Sequence, residues 1–375
     1  MRVLVIGRGV FGLSAALSLR QSGHQVVVVG TRDGLAASED SSRIIRNDYG
    51  GDVFHTTWAD EAIEGWRRWN AKSGVPLFSQ VGLANLTLEP MDPTSYAGAS
   101  HRSLPSARRL DPVAISDLLG FLTPGRFIDG YVNDAAGWAD ASEALRHLER
   151  SCEVAGVAIV AERVAQIGDG WVGLTDDGLL RADRVVVAAG AWTSTLLPET
   201  AELLVPTGQP VLYLRPADPV PFSDVPVWAL DLARSGFYGF PASAEGIVKV
   251  GHHGPGITRR LGASSVPEAV IGRFREFFRE SVPALAGARI ERSRLCFYCD
   301  AADGRFLIDA VPGRKRVVVA AGGSGHGFKF APVLGELIAA VVNEVDHPRR
   351  THTAWRLPGP AGDVARSSGL EDPAR

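Results

Sequence analysis

Gly7-Arg8-Gly9-Val10-Phe11-Gly12 spells G-x-G-x-x-G, and its neighbours decide how it reads. Before it, residues 3–6 are a short apolar run. After it, residues 11–21 carry apolar side chains at helical spacing, and residues 26–29 form a second apolar run. Two buried strands joined by a helix make a βαβ unit with the glycines in its first turn. The first glycine permits the tight turn, the second lets backbone approach a pyrophosphate, and the third lets helix pack on strand. The helix N-terminus then offers N–H groups and partial positive charge to phosphates. A dinucleotide site is the expected reading; the alternative is a tight strand-to-helix turn without a ligand. The motif alone does not separate NAD from FAD. An acid usually ends the second strand to meet the ribose hydroxyls, but here Gly30 stands there, followed by Thr31, Arg32 and Asp33. Either Asp33 reaches back or backbone and hydroxyl groups hold the ribose, and Arg32 keeps a 2′-phosphate open.

Outward from this unit, residues 58–69 look helical. From about 77 to 127 the chain turns to Pro, Ser and short alternating runs such as 81–88. Residues 141–155 read as a helix and 184–189 as another buried strand. Short strands are expected at 211–214, 236–240 and 247–250, a helix at 266–280, a last buried strand at 316–321 and a helix from 331 to about 345. This pattern gives an α/β chain: a discontinuous Rossmann-type domain (1–76, 138–204 and 301–357) interleaved with an antiparallel-sheet substrate domain (77–137 and 205–300). Residues 358–375, rich in Pro, Gly and Ser, are expected to be a flexible tail. Residues 81–106 and 219–228 are expected to shape the substrate pocket.

Composition narrows the function classes. The 375 residues suffice for two domains, and 45% hydrophobic content is ordinary for a globular protein. Basic and acidic side chains number 39 and 42, a net charge of −3 without blocks of like charge, which argues against nucleic acid or an anionic membrane as partner. No apolar run approaches the roughly 18–20 residues that span a bilayer. The N-terminal run passes straight into the glycine fingerprint, so it reads as a strand and not a signal peptide. Cys152, Cys296 and Cys299 are too few for a disulfide framework. A soluble, cytoplasmic protein is expected.

Several polar residues have more than one reading. Arg43 and Arg46 lie three apart on an otherwise apolar segment, either as a solvated or ion-paired face or as a guanidinium clamp for a carboxylate. Lys249 alternates with Val248 and Val250, so on a strand it points opposite to them, toward solvent or toward a site. Cys296 and Cys299 have C-x-x-C spacing without the surroundings of a redox motif. Gly325-His326-Gly327 precedes a helix whose early Pro332 is tolerated in a first turn, and such a turn can receive an anion or be purely structural. His252 and His253 should face opposite ways, one buried and one exposed. No further ligand spacing accompanies them, which argues against zinc and leaves no metal site expected.

The chain resembles the D-amino-acid-oxidase-type flavoprotein superfamily, and within it the monomeric sarcosine oxidase and N-methyltryptophan oxidase group. The resemblance lies in blocks that occur in order along nearly the whole sequence: Gly7–Gly12; Ser42-Arg43-Ile44-Ile45-Arg46 with Tyr49-Gly50; residues 183–192 ending in Gly190-Ala191-Trp192; Phe237-Tyr238-Gly239-Phe240-Pro241 with Lys249 and Gly251-His252-His253; Cys296-Phe297-Tyr298; and residues 325–330. It implies FAD on the Rossmann-type domain, touched by Gly7, Gly9, Gly12, Ser42, Arg43, Gly190, Trp192, Gly325, His326, Gly327 and Lys329, and bound covalently as a thioether from Cys296 to the flavin 8α-methyl group. It implies that Arg46 and Lys329 take a substrate carboxylate and that Arg43 sits nearer the flavin ring. Tyr238, Tyr298 and His253 become pocket walls, and Lys249 sits near flavin N5, where positive charge stabilises superoxide. The expected activity is oxidation of a secondary amine, or an N-methyl or cyclic amino acid, with O2 to an imine and H2O2, by a monomer. Activity should rise with pH, because the amine must lose its proton before it can react. Two alternatives remain: a flavin-dependent amine dehydrogenase or subunit using another acceptor, and an NAD(P)-dependent dehydrogenase or nucleotide-binding module.

Overall fold

A computed structural model describes residues 1–257, 261–263 and 265–355; residues 358–375, the expected tail, lie outside them. Its first sheet has six strands in the order Leu307–Ala310, Val317–Ala321, Arg184–Val187, Arg2–Ile6, Gln25–Val29 and Ala158–Val160. All neighbours are parallel except the edge pair Leu307–Ala310 and Val317–Ala321. The near-continuous valines have a physical cause: both faces of a parallel sheet are covered, so alternate side chains must all be apolar. Val3, Val5, Val26, Val28 and Val318 enter one core with the helices Val10–Gln21, Val53–Ser73, Ala141–Val154 and Ala331–Val342. Leu4, Ile6, Val185, Val187 and Val319 enter another, against a small three-stranded sheet carrying Ile167 and Val172. Each fully buried side chain of this kind contributes about 1.5–3 kcal/mol of transfer free energy.

The second sheet has eight strands, in the order Arg289–Ala301, Leu204–Arg215, Val248–His252, Phe237–Gly239, Val227–Leu230, Leu83–Thr87, Asp129–Asn133 and Ala107–Leu110. It is antiparallel apart from one parallel join, Val227–Leu230 to Leu83–Thr87. One face is apolar: Leu212, Leu214, Trp228, Val248 and Val250 pack beneath Phe274 and Phe278 of the helix Glu268–Ser281. The two-residue period of the strand therefore sends Lys249 and its cross-strand partner Tyr213 to the opposite face, toward the loop that carries Asp40. A short sheet, Ser42–Ile45 with Gly137–Asp140 and Phe78–Ser79, links the two halves.

Two elements run longer than periodicity alone indicates. The helix expected over 58–69 spans Val53–Ser73, because Asp52 caps its start by accepting from the His55 amide and Gly74 ends it with a positive φ of 72°. The strand expected over 211–214 is the twelve-residue Leu204–Arg215, held along its length by Arg289–Ala301. Among the described residues no helix is long and apolar enough to cross a membrane.

Candidate active site

The glycine fingerprint lies at the C-terminal end of Arg2–Ile6, where parallel strands leave a crevice. Gly7 has a φ of 115°, and a β-carbon there would lie 2.3 Å from the Ala188 carbonyl oxygen. At Gly12 a β-carbon would lie 1.9 Å from the Gly7 carbonyl oxygen, so neither position admits a side chain. Gly9 occupies the N-cap and supplies no capping side chain; the Val10 amide donates to Ser38 Oγ at 3.3 Å, and the remaining first-turn amides suit a ligand's phosphates. The resulting cleft measures about 360 Å³ and is lined by Gly7, Gly9, Gly190, Trp192, Gly325 and Gly327, among others. Its length, glycine floor and helix N-terminus fit a dinucleotide. Gly30, Thr31 and Asp33 line its far end, where Asp33 is tied to Arg163 at 2.8 Å. Arg32 instead pairs with Glu149 at 2.9 Å, beside Arg8 on the same carboxylate.

A smaller pocket of about 80 Å³ adjoins the cleft; Arg43, Tyr298, Gly325 and Phe328 line both. Into it the two halves of the chain deliver Ser42, Arg46, Tyr238, Lys249, His253, His326 and Lys329. The sequence blocks, up to 287 residues apart, thus converge. Of the expected cofactor contacts, Gly12 and Cys296 line neither cavity, and Ser42, His326 and Lys329 belong to the smaller pocket.

Two cations sit at one end of that pocket. Arg46 donates to Tyr96 Oη at 2.6 Å and to the Asp48 carbonyl, and Lys329 Nζ donates to Tyr49 Oη at 2.8 Å. The Asp48 carboxylate, fixed by hydrogen bonds from Tyr131 at 2.8 Å and Asn133 at 2.9 Å, favours the charged form of both. Burial, reinforced by Arg46, pushes Lys329 well below the ordinary lysine range. One carboxylate thus serves two basic groups, and a substrate carboxylate would balance the second. His326 directs Nδ1 to Tyr49 Oη at 2.9 Å, so its ring braces the clamp and not the cleft. Burial and Lys329 keep that ring's pKa well below normal, hence neutral.

At the other end, Lys249 is 5% exposed and donates to the Ser42 carbonyl at 2.7 Å, which answers the solvent-or-site question its alternation left open. It pairs with Asp40 at 2.9 Å, and Arg43 pairs with the same carboxylate at 2.6 Å. Burial pulls Lys249 down to about 8, Asp40 limits the fall and Arg43 adds to it. Burial also opposes ionisation of Asp40, but Lys249, Arg43 and Arg294 outweigh it and hold the carboxyl well below the usual range. Tyr213 adds a hydrogen bond to Asp40. Arg43 also reaches Cys296 Sγ at 3.3 Å. Cys299, on the opposite face of the strand, lines the cleft, and burial pushes its thiol up to about 12. Cys152 is buried too, 3.5 Å from the Leu13 carbonyl, and all three thiols are free.

Sequence reasoning missed Asp40, Asp48, Asn85 and Tyr96. Asp40 lies three residues before Arg43 in a Ser-rich loop, and an acid this close to a functional arginine was the available signal. His252 and His253 are both half-buried, and only His253, just beyond the strand end, lines the pocket. Residues 81–106 supply Leu83, Asn85 and Tyr96, whereas 219–228 supply nothing; Ala229 and Leu232 line the pocket in their place. Phe222 and Trp228 point into the apolar core on the far face of the sheet. Among the described residues no three His, Cys, Asp or Glu side chains converge to hold a metal.

Comparison with known proteins agrees with this geometry. Residues 2–341 match the DAO family, described as FAD dependent oxidoreductase. L-saccharopine oxidase of Schizosaccharomyces pombe is 26% identical, over 96% of this chain and 94% of that protein. A monomeric sarcosine oxidase from a Bacillus species is 25% identical, over 92% and 94%. In structure, the Aspergillus fumigatus fructosamine oxidase Amadoriase II superposes with a TM-score of 0.85 at 23% identity, over 99% of this chain and 93% of that one.

Proposed function

The chain belongs to the DAO family of FAD-dependent oxidoreductases, and from that premise we propose that it oxidises the C–N bond of a secondary amine, or of an N-methyl or cyclic amino acid, with O2 to an imine and H2O2. The observation that carries the reading is the pair of basic side chains, Arg46 and Lys329, which share one carboxylate, Asp48, in a pocket that opens on the dinucleotide cleft. Relatives named for sarcosine and L-saccharopine oxidation support an amino acid as substrate. FAD, when bound, supplies the two-electron acceptor between substrate and O2.

The residues divide the remaining work. Arg46 and Lys329 grip the carboxylate, with Tyr96 and Tyr49 fixing the two cations. Tyr238, Phe240 and Tyr298 wall the pocket and exclude water. Lys249, charged below about pH 8, places positive charge where O2 gains its first electron. Cys296, beside Arg43, is the proposed point of covalent attachment. The test is a peroxide-coupled screen of N-methyl and cyclic amino acids against their amides. Peroxide from the acids but not the amides is expected. Dye reduction without O2 consumption would replace the oxidase with a dehydrogenase.

A further inference from the structure

A second chamber of about 320 Å³ lies beyond the substrate pocket, and the two share Asn85, Tyr96 and Leu232 as a common wall. The sharing is structural. Asn85 and Thr87 lie on the same face of the strand Leu83–Thr87, so one strand lines the pocket with Asn85 and continues into the chamber with Thr87. Tyr96 touches the Arg46 guanidinium with its hydroxyl and also lines the chamber. A ligand whose carboxylate rests on Arg46 therefore lies one side chain away from the outer space. The inner pocket, at about 80 Å³, is sized for a small amino acid. The outer chamber alone falls within the roughly 300–1,000 Å³ of ligand cavities.

Charge runs in opposite senses along this path. The inner end holds Arg46 and Lys329, while the outer walls hold Glu89, Asp92 and Asp231 against Arg234 alone. Arg234 pairs with Glu89 at 2.5 Å and lies 3.7 Å from Asp231, so the carboxylates remain in excess. Asp231 keeps a φ of 51°, costly for a non-glycine residue, directly beside the shared Leu232.

We propose that the substrate is longer than an N-methyl amino acid: its carboxylate lies on Arg46 and Lys329, and an uncharged or cationic substituent of several atoms passes Tyr96 and Leu232 into the outer chamber. The proposal rests on the amine-oxidase reading of the inner pocket and specifies its substrate class. A substituent ending in a carboxylate is disfavoured by Glu89, Asp92 and Asp231.

The test uses flavin-loaded protein and alkoxyacetates, in which an ether replaces the oxidisable amine, so that binding is read without turnover. Calorimetric titration compares methoxyacetate, n-butoxyacetate, and butoxyacetates ending in an ammonium or a carboxylate. The neutral and ammonium-terminated ethers should bind about tenfold tighter than methoxyacetate, and the carboxylate-terminated ether about tenfold more weakly than its ammonium counterpart. Ala97→Phe, which fills the outer chamber, should erase the gain from the butyl chain. Glu89→Lys, at the exposed rim, should narrow the gap between the two charged tails. Long ethers that bind no better than methoxyacetate, or a gain that survives Ala97→Phe, would overturn the proposal. The matching amines separate it from the reading it rests on. Tight ethers with unoxidised amines would remove the oxidase and leave the chamber, whereas oxidised amines with no gain from the tail would do the reverse.

Discussion

In the dinucleotide cleft the decisive positions are Gly7, Gly9, Gly12, Gly190 and Gly325, where backbone and empty space make the site, whereas the pocket beside it is made of Arg46, Lys249 and Lys329, buried charges held by long side chains. The cleft's first three glycines come from six consecutive residues on one turn. The pocket's cations come from three distant segments, and each depends on a neighbour: Tyr49 for Lys329, Tyr96 for Arg46, Asp40 for Lys249. At Gly7 and Gly12 the backbone site is set by sterics and tolerates no added atom. A site of buried charge is set by electrostatic balance, so one altered partner retunes it.

The sharpest break in this contrast should come from the cleft. In Gly12→Val the new β-carbon meets the Gly7 carbonyl, and the expected outcome is loss of bound flavin together with at least about 3 kcal/mol of stability. Flavin absorbance per protein and thermal melting check it, and a flavin-replete variant would show that the turn is less tight than described. In the pocket the same kind of insult should leave flavin in place. Arg46→Met or Lys329→Met should raise KM for an amino-acid substrate by about a hundredfold, with flavin content unchanged. Flavin loss in parallel with KM would merge the two regions into one.

This difference also explains what could be read from the chain itself. The βαβ unit and Gly7, Gly9 and Gly12 are legible because local sterics fix them, and the valine runs because a twice-covered sheet demands them. Arg46, Lys249 and Lys329 were legible only through their order along the chain; alone, each also reads as a surface charge. Asp40 was legible only as an acid three residues before Arg43; nothing in its Ser-rich loop announces that Lys249, about two hundred residues later, returns to it. The 219–228 segment misled for the converse reason. Its proline-rich stretch resembles a pocket loop, but Phe222 and Trp228 belong to the core on the other face of the sheet.

Asp40 sharpens the comparison further. Lys249 titrates at about 8, charged below and neutral above, so reoxidation by O2 should slow as pH rises through 8, while amine oxidation gains from loss of the amine proton. Asp40→Asn removes the anion that supports the charged lysine. The fall in O2 rate should then move to lower pH, costing about tenfold at neutral pH and leaving the amine half-reaction less affected. Stopped-flow measurement of each half-reaction against pH separates them, and an unshifted O2 profile would remove Asp40 from this role. The smallest effect on rate is expected at the cysteines. Acid precipitation should leave flavin with the pellet in the native protein and in Cys296→Ser release it to the supernatant, with Cys299→Ser behaving as native.

The central claim joins the two regions: flavin in the cleft must take electrons from an amine in the pocket and yield them to O2. An anaerobic mixture of the yellow protein with an N-alkyl amino acid tests it directly. The flavin absorbance should bleach, and it should return on admission of O2 with H2O2 formed in equal amount. Flavin that stays oxidised against the whole series of N-methyl, cyclic and longer N-alkyl amino acids would contradict the account.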